Sequence, residues 1–141
     1  MMRPMTSDLR PDRSADVVES FLDALSELAT AAGAPVAAWV RERMRRARSQ
    51  GEPSGGRLSE KWSYQIHGAG CAFFHRDGRE VDVDLDDSDP AELTFDVWRL
   101  SRHARSIGLT APDTSLMAEL DSKVVEGRLT RSQEGWWVLP A

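Results

Sequence analysis

The sequence is short of cysteine, lysine and histidine, and each shortage excludes something. One cysteine, Cys71, leaves no internal disulfide to form, so a reducing compartment is expected. Three histidines and one cysteine cannot supply two of the paired Cys or His spacings of a structural zinc site. Lysine is nearly absent, with two lysines beside sixteen arginines, a bias read as genomic base composition. No apolar run approaches the roughly 20 residues that a membrane span needs. The opening MMRPMTSDLRPDRS lacks the apolar centre of a signal peptide and reads as a disordered lead-in over residues 1–13, so a cytoplasmic protein is expected. There is no internal repeat.

What is present describes a globular chain. Hydrophobic residues make up 40% of its 141 residues, with five Trp and four Phe, enough for one domain with a real core. The net charge of -5 gives no reason to expect nucleic acid or an anionic membrane as the main partner. That charge is unevenly spread. From Asp77 to Asp96 nine acids face a single base, Arg79, which leaves the rest of the chain at +3.

Residues 14–48 read as a helical hairpin. Ser14 is a candidate N-cap, and Val17, Val18, Phe21, Leu22, Leu25 and Leu28 recur at helical spacing before Gly33. Pro35 suits the first turn of a second helix, whose apolar stripe is Val36, Trp39, Val40, Met44 and Ala47. The arginines between Arg41 and Arg48 complement its C-terminal dipole. Nucleic-acid contact through Arg45 and Arg46 is the less favoured reading, because no binding motif accompanies the run. Residues 49–60 are a linker by composition.

Beyond it, an α+β domain is expected over 61–141. Trp62, Tyr64 and Ile66 alternate with polar residues, as on a half-buried strand. CAFFHR and REVDVDL flank Asp77-Gly78, a type I′ hairpin signal, which gives a three-stranded antiparallel meander. Thr94 would cap a third helix ending near Gly108, and Asp113 a fourth ending near Gly127. A last hairpin turns near Gly135. There, one of Trp136 and Trp137 faces inward, Trp137 under the N-terminal helices if it is the buried one.

A two-residue turn fixes the hairpin register. Cys71 then faces Asp84, Phe73 faces Asp82 and His75 faces Glu80, while Ala72, Phe74, Val81, Val83 and Leu85 share the core face. The first strand adds His67 to the second face, which collects every reactive group of the stretch around Phe73. A slip of one residue would scatter them. Three chemistries compete there. His67, Cys71 and His75 form a weak candidate metal set, spaced unlike established zinc ligands. Cys71 with His67, oriented by Asp82 or Asp84, forms a candidate nucleophile, although carboxylates beside a thiol oppose the thiolate. The Asp82-x-Asp84-x-Asp86 comb lacks the glycine and glutamate of an EF-hand loop. No cofactor is expected.

His67-Gly68-x-Gly70-Cys71-x-Phe73, Gly78-x-x-Val81-Asp82-Val83 and Phe95-Asp96-x-Trp98-x-Leu100 resemble an uncharacterised bacterial family known only as a domain of unknown function. The resemblance covers about residues 60–140 and leaves out the N-terminal helices. It transfers no catalytic role and implies, loosely, a binding function near toxin–immunity systems. The expected function is therefore a non-catalytic protein-binding module, of immunity or antitoxin type, for a basic, toxin-like protein partner. Its contacts would be Phe73, Asp82, Asp84, Asp86, Asp87 and Asp89, by charge complementarity. The alternative is a small hydrolase-like enzyme using Cys71 and His67.

Overall fold

The computed structural model describes residues 13–67, 70–85, 92–133 and 135–139. Apart from Arg13, the lead-in expected over 1–13 lies outside them.

Helix α1 (Ser14–Ala32) buries Val17, Val18, Phe21, Leu22, Leu25 and Leu28, the stripe its spacing dictates. Gly33 ends it at φ 70, where a residue without Cβ adopts the left-handed turn at little cost and returns its N–H to Ala29 and Thr30. Ser14 is not the cap. Arg13 stands at that position, and Ser14 is the first helical residue, with 2% of its surface exposed. Helix α2 (Val36–Gln50) starts after Pro35 and runs past residue 48.

The stretch read as a linker holds α2's last two residues and a strand, β1 (Gly55–Arg57), antiparallel to β2 (Ser63–His67). Gly55 lets the two backbones approach, since a Cβ there would sit 3.2 Å from the Tyr64 carbonyl oxygen. Strands β3 (Cys71–Arg76) and β4 (Arg79–Leu85) follow in the expected register, from Cys71 opposite Asp84 to Arg76 opposite Arg79. Asp77 and Gly78 both take positive φ, 49° and 80°, as a type I′ turn demands.

Two assignments change downstream. Thr94 caps no helix; it lies in a short strand, β5 (Leu93–Phe95), paired with the end of β4. Asp96 is the cap of α3 (Val97–Ser106), its carboxylate accepting from the Arg99 N–H at 3.0 Å. Helix α4 (Asp113–Val125) has Asp113, its expected cap, as its first helical residue, and Pro112 stands in the cap position. The C-terminal hairpin, β6 (Thr130–Arg131) with β7 (Trp137–Leu139), joins the sheet through β5. The three-stranded meander is thus the middle of a seven-stranded antiparallel sheet, ordered β1-β2-β3-β4-β5-β7-β6, in an α+β fold.

One face of this sheet carries the core. Phe74, Val81, Val83 and Phe95 join Phe21 and Leu25 of α1, Val40 of α2, and Leu116 and Leu120 of α4 in one buried cluster. Trp137 is the buried one of the two and joins the same cluster, its indole N–H donating to Asp121 of α4 at 3.2 Å. Helix α3 takes a different place. Strand β5 pairs with β4 only at Asp84 and Leu85, leaving the rest of that edge open. There α3 closes it: the Glu80 N–H donates to Ser106 Oγ at 3.0 Å, and His103 Nδ1 meets the Glu80 carbonyl at 3.3 Å. An open strand edge would otherwise expose unpaired backbone groups. Among the described residues no helix is long and apolar enough to cross a membrane.

Candidate functional site

The hairpin's two faces divide as its alternation requires. Ala72, Phe74, Val81 and Val83 are fully buried, whereas Cys71, Phe73 and Asp84 are half-buried and His67 and His75 exposed. His67 packs edge-on against Phe73, ring centroids 4.8 Å apart. The outer face therefore does collect the reactive residues.

What the sequence pattern did not reveal is the set of cations that α3 lays over the edge of this face. Arg99 binds Asp84 at 2.5 Å and its own cap, Asp96, at 3.4 Å. Arg102 binds Glu80 and approaches Asp82 at 3.0 Å. Each guanidinium also lies over rings. Arg102 is 5.7 Å from the Phe73 centroid and 5.1 Å from Trp98, and Arg99 is 5.4 Å from both Trp98 and Trp136. Such cation–π contacts favour the flat arginine head over an ammonium. Arg99 and Arg102 are three apart, so one helical face presents both to β4. The helical periodicity of α3 would have shown that spacing; its placement against β4 needed the tertiary fold.

These contacts change what the acids can do. Asp82 is 1% exposed, so the structure keeps it from serving as a surface contact. Its approach to Arg102 is charge to charge, since neither carboxylate oxygen has a partner in hydrogen-bonding geometry. Burial, then the neighbouring Glu80 carboxylate, pushes its pKa up to about 7, with Arg102 and Arg99 opposing. Asp84 is half-buried and committed to Arg99. Asp86, Asp87 and Asp89 lie outside the described residues.

The candidate nucleophile is assembled only in part. Cys71 sits opposite His67 on one side and Asp84 on the other. Burial raises its thiol pKa, the Asp84 charge raises it further, and Arg99 only partly offsets them. A raised pKa leaves less thiolate, the reactive form. Among the described residues His67 has no hydrogen bond to Cys71 or to a carboxylate; its contact is the Phe73 ring. The metal set does not converge. His75 pairs with Ser63, four residues along β3 from Cys71, or roughly 13 Å at strand rise. Among the described residues no three His, Cys, Asp or Glu side chains are placed to hold an ion.

Trp98, which the sequence marks only within the family resemblance and not as a contact, is the most open aromatic of this face. It is 52% exposed, far more than Trp62 or Trp137, and stands beside Phe73 with Arg102 between them. An open cavity of about 360 Å³ adjoins this face, between His75, Glu80, Arg102 and Arg105. The basic run of α2 is largely self-paired: Arg45 and Arg46 bind Glu42, and Arg43 binds Glu52 and the Tyr64 hydroxyl.

No curated protein and no solved structure matches the chain. One family model does, over residues 15–138, and it takes in the N-terminal helices that the sequence resemblance left out. The chain belongs to the family described as a domain of unknown function, DUF6896.

Proposed function

We propose that the chain is a non-catalytic, cytoplasmic protein-binding module, of immunity or antitoxin type, that docks its partner on the outer face around Trp98, Phe73 and Arg102. The observation that carries this reading is the exposed Trp98 indole, held between two arginines of α3 at the edge of the outer face. Tryptophan and arginine are the side chains most often responsible for interface affinity, and this pair is already ordered before a partner arrives. The ion pairs beneath fix its geometry. With Glu80, Asp82 and Asp84 matched by Arg99 and Arg102, attraction for a basic partner falls to Asp86, Asp87 and Asp89 in the neighbouring segment. No specific observation favours the Cys71 and His67 enzyme.

The test is affinity capture with the tagged full-length protein, followed by titration of whatever is captured. Trp98→Ala should weaken binding by about 2 kcal/mol or more, the threshold for an interface hot spot. Cys71→Ser should leave it unchanged. If capture or an accompanying activity depends on Cys71 and not on Trp98, the docking reading fails.

A further inference from the structure

A second cavity, of about 320 Å³, opens on the helix-covered side of the sheet, between α1 and the turn end of β3 and β4. It lies on the opposite side of the sheet from Trp98 and does not depend on the docking reading.

His103, 1% exposed, forms part of its floor. Its Nδ1 faces the Glu80 carbonyl at 3.3 Å, and a carbonyl only accepts, so the network assigns the ring proton to Nδ1. Nε2 is then the acceptor, and it takes the Ser20 hydroxyl proton at 3.1 Å. Burial lowers the imidazole pKa, which keeps the ring neutral and this arrangement intact. With its proton given to His103, Ser20 offers the cavity oxygen lone pairs alone. Asp23 follows Ser20 by three residues on α1 and lines the same wall, so a hydroxyl oxygen and a carboxylate stand side by side as acceptors.

The facing wall carries the opposite charge. Arg79 of β4 lines the cavity, close enough to His103 for its charge to act on the imidazole. Other charges around the cleft are paired, Asp16 with Arg13 among them. Glu27 binds Arg76 and the Trp62 indole N–H, and Glu19 binds Lys123 and Arg128. Asp23 and Arg79 form no ion pair within contact distance among the described residues; Asp23 acts on Arg128 only at longer range. Ala24 and the small exposed part of Trp62, which lies under Arg76, add apolar surface to the lining.

We infer that this cleft binds a free α-amino acid with an uncharged side chain. The ammonium group sits on Ser20 and Asp23, the carboxylate on Arg79, and the side chain against Trp62. Two charges of opposite sign without a contact ion pair, one on α1 and one on β4, match a zwitterion better than a singly charged ligand. The volume is at the small end of ligand cavities, roughly 300–1,000 Å³, which suits one amino acid rather than a peptide.

The test titrates the full-length, ¹⁵N-labelled protein with each of the twenty free proteinogenic amino acids, and with butylamine and butyrate as single-charge controls. At least one neutral amino acid should give saturable shifts at Ser20, Asp23 and Ala24 and at the Trp62 indole N–H. Asp23→Asn and Arg79→Gln, each shown to keep a dispersed spectrum, should each weaken binding about tenfold or more, the loss of one charge-assisted contact. Each control should bind about tenfold more weakly than the zwitterion. The inference is overturned if no amino acid gives saturable shifts up to about 10 mM, since a Kd above that level is negligible affinity. It is equally overturned if butylamine binds as well as the amino acid, or if the shifts fall on the outer face.

Discussion

The two faces of the β3–β4 hairpin carry side chains from the same thirteen residues, yet they are held by different physics. The inner face is apolar away from the turn, with Phe74, Val81 and Val83 fully buried against the helices, and carries Arg76 and Arg79 only at its turn end. The outer face is a layer of three carboxylates shared between two arginines, Asp84 with Arg99 and both Glu80 and Asp82 with Arg102, with aromatic rings laid over the guanidinium groups. The first kind of packing is non-directional and follows from alternation alone. The second needs particular partners, supplied by a helix more than ten residues downstream. A face of this kind spends its charge internally and offers a partner its aromatic and guanidinium groups instead.

The largest effect that would sharpen this contrast is on the inner face. Phe74→Ala should cost about 3–5 kcal/mol in denaturant unfolding, as core phenylalanine truncations do, against about 1 kcal/mol for Phe73→Ala on the half-buried outer side. Equal losses would break the comparison. Next comes Arg102→Ala, which strands the buried Asp82 carboxylate. The expected loss is about 2–3 kcal/mol at pH 8, somewhat below the usual cost of breaking a buried pair because Glu80 is partly solvated. At pH 5 the loss should be smaller, since Asp82 can then take up a proton. A loss independent of pH would show that Arg102 acts through its stem and ring contacts.

Asp82 itself gives a signed pH dependence. Its folded pKa of about 7 lies above the unfolded value of 3.8, so the native state binds more protons between those limits. Its contribution to stability is therefore complete at acid pH and falls as pH rises from about 4 to about 7. Asp82→Asn should flatten that part of the stability profile and be about 1 kcal/mol more stable than the wild type at pH 8, a fraction of the full linkage energy because Arg102 loses its partner. Unfolding midpoints across pH 4–8 measure it. The smallest effect is at Cys71. Cys71→Ser should change stability by less than about 1 kcal/mol, and the thiol should react with iodoacetamide at pH 7.5 more slowly than a free cysteine, whose pKa is about 8.5. Fast alkylation would restore the nucleophile as a serious reading.

The inner face was legible in the sequence because Asp77-Gly78 fixes a register and the register fixes the sides. All six paired positions of β3 and β4 follow from that one turn. Strand β1 was not legible: Gly-Gly-Arg has no strand propensity, and pairs through backbone alone. Strand β5 was hidden by Thr94, which looks like a helix cap three residues before α3 and in fact donates its hydroxyl to the Asp84 carbonyl. The outer face was legible as a cluster but not as a neutralised one. Its acids stand in one run of sequence, whereas their arginines belong to a helix whose contact with β4 no local pattern encodes. Trp98 was read as one of the helix's apolar residues and not as a contact for the same reason, since helical spacing could not tell an apolar residue on the core side from one left in the open.

The measurement that bears most directly on this picture is the titration of the Asp82 carboxyl carbon by NMR in the full-length protein. A closed outer face, with Asp82 buried beside Glu80 under Arg102, should give a midpoint near 7, as its burial requires. A midpoint near the ordinary 3.8 would show a solvated carboxylate, and with it an open acidic face that α3 does not seal.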